Sequence, residues 1–60
     1  MNDNTKLEIA VEIMAAKIAR TANAGNEEEV AKLMEERTKM YQFDEEIIDK
    51  IINVYGKEIK

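Results

Sequence analysis

The side chains of this sequence that could hold or move a charge are carboxylates, lysines, arginines and two tyrosines, because it has no histidine and no cysteine. Serine is absent too, and there is no glycine-rich phosphate loop, so the common nucleophile–base pairs cannot be assembled. Paired carboxylates perform acid–base chemistry when their surroundings split their pKa values, but no acid falls at the centre of an apolar stripe. The reading is therefore a non-enzymatic protein with no cofactor. Glu27-Glu28-Glu29 would suit a hard cation by atom type. Adjacent helical residues diverge by about 100°, however, and three acids at a helix start complement the helix dipole. Asp44-Glu45-Glu46 with Asp49 lacks the alternating ligands and central glycine of a calcium loop. No metal site is expected.

Among the cations, Arg37 stands out because it shares a helix face with Val30, Leu33, Met34 and Tyr41. Its aliphatic stem can lie along that face while the guanidinium reaches water, Glu36, Glu45 or an acid of a partner chain. A second chemistry is anion recognition. Lys17, Arg20, Arg37, Tyr41 and Tyr55 would line a pocket between subunits, with arginine pairing to phosphate and tyrosine stacking on a base. Met14, Met34 and Met40 occupy apolar positions and read as core.

Three helices must position these groups, over residues 5–23, 27–41 and 45–58, in an all-α fold of one domain, residues 1–60. The first starts at a capping box, Thr5 to Glu8, and ends where Gly25 can adopt the left-handed conformation. Asn26 followed by Glu29 repeats the start signal. Asp44 caps the third helix, with Glu45 and Glu46 in its first turn and Phe43 placed to staple onto Ile48. Gly56 is expected to stop or fray that helix. Ile47 to Val54 is rich in β-formers, but its apolar spacing follows the helical period.

The first helix is apolar on two sides. Leu7, Ala10, Val11, Met14, Ile18 and Ala22 form one stripe, and Ile9, Ile13 and Ala16 form another roughly opposite, at about 100° per residue. Ile47, Ile48, Ile51, Ile52, Val54, Tyr55 and Ile59 give the third helix a stripe about 160° wide, more than one neighbour needs. A 60-residue chain buries only about 60% of its unfolded surface and is marginal alone. Without disulfide or metal, oligomerisation or unusually good helix packing is the remaining reinforcement. The bundle is thus expected to be completed by homo-oligomerisation through Ile9, Ile13, Ala16, Ile48, Ile52 and Ile59.

The formal charge of −4, from 13 acids against 9 bases, opposes binding to phosphate backbones. A helix-turn-helix reading fails similarly, since Asp44, Glu45, Glu46 and Asp49 would meet the bases. Met1-Asn2-Asp3-Asn4 lacks the basic segment of a signal peptide, and Glu8, Glu12 and Lys17 interrupt the one long apolar stretch. A cytoplasmic protein without a membrane span is expected. In its size, its Ile/Lys/Glu/Asn usage and its ending, Ile51-Ile52-Asn53-Val54-Tyr55-Gly56-Lys57, the sequence resembles the short helical proteins of phages and mobile elements of low-GC bacteria. That resemblance names no family and assigns no functional residue. It implies a small accessory protein that acts by binding or inhibiting a partner protein.

Overall fold

The computed structural model describes residues 3–59. Its elements are α1 (Asp3–Asn23), α2 (Glu27–Tyr41), α3 (Glu45–Lys50), a π-helical segment (Ile51–Tyr55) and α4 (Gly56–Glu58). Lys50, Ile51, Tyr55 and Gly56 all have right-handed helical dihedrals, so the last three elements form one continuous third helix. No strand occurs among the described residues.

Both links between helices have the same geometry. After α1, the Asn26 amide donates to the Thr21 carbonyl and the Gly25 amide to that of Ala22, with Gly25 at φ 77°. After α2, the Asp44 amide donates to Lys39 and the Phe43 amide to Met40, with Phe43 at φ 60°. These are Schellman closures, which satisfy the otherwise orphaned last carbonyls of a helix. In each, the next residue caps the following helix. Asn26 Oδ1 accepts from the Glu29 amide at 3.2 Å, and Asp44 Oδ1 from the amides of Glu46 and Ile47 at 3.1 and 3.4 Å. Gly25 fits its site without strain, whereas a phenylalanine in the left-handed region costs about 1–2 kcal/mol. Phe43 and Ile48, the expected staple pair, border the same small cavity.

Two boundaries differ from the sequence reading. α1 already includes Asp3, so Thr5 lies inside the helix and its capping box does not mark the start. Gly56 does not stop the third helix. It has φ −60° and ψ −34°, and its amide donates to Ile51, five residues back, as a π turn requires. The reason for a glycine here is space, because a Cβ at this position would lie 3.1 Å from Ile13 Cδ1.

That close approach covers Ile13, on the second apolar side of α1, within the chain itself. α1 packs on α2 along one flank and on the π segment along another. Ala10, Met14, Leu33, Met40, Ile48, Ile51 and Tyr55 form the buried core, with Leu7, Val11, Ile13, Ile18, Ile47 and Ile52 packed around it. The radius of gyration, 10.9 Å, is close to the roughly 10 Å that size scaling gives for a globule of this length. The accessible surface of 4258 Å² is likewise near the roughly 4,000 Å² expected of a compact monomer of this mass. No helix among the described residues is long and apolar enough to cross a membrane.

Candidate functional site

The third helix carries Tyr55 into the core, 7% exposed, yet with a hydroxyl that must find a partner. It donates to Glu36 Oε1 of α2 at 2.6 Å. The same carboxylate takes the Lys50 ammonium through its other oxygen. Lys17 of α1 and Lys50 place their ammonium nitrogens 5.2 and 5.3 Å from the Tyr55 ring centre. One turn on, Glu58 accepts from Lys17 at 2.7 Å through its side chain and from Arg20 at 3.2 Å through its carbonyl. All three helices therefore meet in one polar cluster, at the edge of an open groove bordered also by Lys32 and Lys39.

Its three titratable groups set one another's electrostatics. Burial alone would raise the Glu36 carboxyl, but hydrogen bonds from Lys50 and Tyr55, with the charges of Lys50 and Lys39, outweigh it and hold the group below its ordinary value. The Glu36 hydrogen bond, followed by that of Tyr55, raises Lys50. Burial and then the bond to Glu36 raise the Tyr55 phenol, against a smaller opposing effect of Lys50. Near neutral pH the carboxylate is thus fixed ionised, the lysine protonated and the phenol neutral. A proton-transfer catalyst needs a group poised near the working pH, and each shift here moves away from it. Among the described residues, no three carboxylates gather as a metal site would need.

The structure divides the anion-binding candidates. Lys17, Arg20 and Tyr55 come together, but Glu58 already engages both cations. Arg37 and Tyr41 form a separate pair on α2, with the guanidinium carbon 5.0 Å from the ring centre. Arg37 therefore stacks on Tyr41 at the surface, and no bond to Glu36 or Glu45 forms among the contacts described. Of the interface candidates, Ile48 is 4% exposed and sits in the chain's own core. Ile13 and Ile52 pack against that core, while Ile9, Ala16 and Ile59 are half-buried.

Sequence reasoning missed Glu36, Lys50 and Glu58. The signal for Glu36 was available, because it lies three residues after Leu33 and four before Met40, the two buried residues of α2. Val54, on the wide stripe of the third helix, is exposed, as is Phe43 in the link, but the exposed apolar surface of α2 was missed. Met34 and Tyr41 are 45% and 47% exposed, and with Arg37 between them they form a stripe along one flank of α2. The sequence matches no protein-family model, no curated protein and no solved structure.

Proposed function

We propose that this protein acts by binding rather than by catalysis, and that its contact surface is the Met34–Arg37–Tyr41 stripe of α2, with a second copy of the chain as the first partner. The observation that carries this reading is the exposure of two large apolar side chains on one helix flank, bridged by a stacked arginine. Tyrosine and arginine dominate binding energy at protein interfaces, and methionine adapts its shape to a partner. Charge favours self-pairing. Glu27 lies seven residues before Met34, on the helical face that also carries Arg37, whereas Glu29 and Lys39 border the groove beside Glu36 on another flank. An antiparallel pair of α2 helices related by a two-fold axis near Met34 sets the Glu27 end of each stripe toward the Arg37 end of the other. The bonds of Tyr55 and Lys50 to Glu36 tie the third helix to α2, which supports a structural part for that cluster. An accessory protein that occupies a partner's surface fits the same chemistry.

The interface is small. Two half-exposed side chains supply far less than the roughly 800 Å² per partner of a standard interface, so the association is weak and concentration-dependent. Sedimentation equilibrium from micromolar to millimolar concentration should show the mass rising above 6.9 kDa. Met34→Glu, at an exposed site, should keep the helical circular dichroism and hold the mass at that of one chain. A wild-type protein that stays monomeric throughout, or a variant that associates as well as wild type, would remove this surface from consideration.

A further inference from the structure

A π turn carries one residue more than the α-helix that it interrupts, and one residue of α-helix is about 100° of rotation. In the third helix this surplus separates two phases that the same residues can satisfy. The apolar period Ile48, Ile51, Ile52, Tyr55, Ile59 runs on without a break at helical spacing. A continuous α-helix would therefore turn Ile59 onto the core side. The observed helix does otherwise. Its π turn leaves Ile59 half-buried, lays Gly56 against Ile13 and brings Glu58 to Lys17 and Arg20.

We propose that the segment from Ile51 to Glu58 is a two-register element. The π register is held by the Tyr55 hydroxyl on Glu36 and by the grip of Lys17 and Arg20 on Glu58. The competing register is a continuous α-helix that turns Tyr55 and the residues after it by about 100°, takes the Tyr55 hydroxyl off Glu36, seats Ile59 and frees both cations of α1. Upstream, the Asp44 cap and buried Ile48 and Ile51 stay fixed in either register. The holding contacts at Glu58 are exposed, and exposed ion pairs are weak and screened by salt. This end of the helix is accordingly the part of the fold that ionic conditions or a competing anion would turn.

Deletion of Asn53, an exposed residue inside the π segment, removes the surplus while leaving Tyr55 and Gly56 facing as they do now. It locks the observed register with α-helical hydrogen bonding. Nitrogen-15 relaxation dispersion on the intact wild-type chain should report exchange in residues 51–59 that grows with salt, while residues 45–48 stay quiet. Tyr55→Phe with Glu58→Gln should enlarge the minor population and shift the Gly56 and Ile59 amides along the same direction. The Asn53 deletion should fold and abolish the exchange. Flat dispersion in wild type, with amide shifts in the double variant confined to the substituted side chains' neighbours, would overturn the proposal. So would a deletion variant that does not fold, because the residue would then not be surplus.

Discussion

Gly56 and Ile13 provide a quantitative check on how the third helix meets α1. A Cβ at position 56 would lie 3.1 Å from Ile13 Cδ1, and its next contact on that side chain, Cγ1, is at 4.0 Å. Gly56→Ala brings two opposing effects. Alanine is favoured over glycine within a helix by about 0.8–1 kcal/mol, whereas overpacking costs about 1–3 kcal/mol where the neighbour cannot move. The single variant should come out near neutral or destabilised. Ile13→Val deletes the obstructing Cδ1 and costs about 0.5–1.5 kcal/mol by itself. In that background Gly56→Ala should recover its propensity gain, because the remaining contact is ordinary. The coupling energy of the double-mutant cycle is thus the overpacking it relieves, about 1–3 kcal/mol in favour of the double variant. Urea unfolding followed by circular dichroism measures it, and in a domain of this size about 1 kcal/mol corresponds to roughly 4–8 °C in Tm. Additivity within about 0.3 kcal/mol would mean that the two residues do not touch, and that the second face of α1 is not covered by its own chain.

Tyr55→Phe keeps the buried ring but leaves Glu36 short of one donor. It should cost about 1 kcal/mol in thermal unfolding, and a loss below about 0.3 kcal/mol would make the hydroxyl bond irrelevant to stability. Because the Glu36 pKa is lowered on folding, its contribution is present above the unfolded carboxylate value and is lost as pH falls through the folded one. Glu36→Gln should therefore flatten the acid limb of a Tm-against-pH curve, and an unchanged limb would count against the network. Lys50 and Tyr55 are raised, so their contributions are present below their unfolded values and fade as pH rises through the folded ones. Spectrophotometric titration should show the Tyr55 phenol ionising above an ordinary tyrosine, and Tyr55→Phe should remove that step. Gly25→Ala meets no atom within 4 Å, so the left-handed backbone alone sets its cost, about 1 kcal/mol. A Tm equal to wild type would indicate that the link adopts another conformation.

The local signals were readable because each resides in a few adjacent residues. Asn26 and Asp44 cap as their types suggest, Gly25 closes α1, and the apolar periods of α1 and α2 mark Met14, Leu33 and Met40 as core. The π turn was not readable, since the period from Ile48 to Ile59 describes an unbroken α-helix. What displaces it is contact with α1, through Gly56 and Glu58, far away in sequence. For the same reason Ile13 read as spare surface. A stripe records that a face is covered but not by which neighbour, and here the neighbour is the chain's own third helix. The stripe of α2 misled in the other direction. Val30, Leu33, Met34, Met40 and Tyr41 look like one buried face, but only Leu33 and Met40 are buried, because α1 and the third helix approach from the side that also takes in Glu36.

The two links, each ending on the residue that caps the next helix, shape how the molecule assembles in time. Closing loops of a few residues costs little entropy, so the α1–α2 hairpin and the junction of α2 with α3 can form early and fast. The contacts that bring the third helix back to α1 include pairs 41 and 38 residues apart in sequence, and they have to wait. Docking of that helix is then the late step of folding and the first to reverse. Its amides should lose hydrogen-exchange protection before those of α1 and α2. Substitutions at Gly56 or Glu58 should act on the rate of unfolding and leave the folding rate nearly untouched.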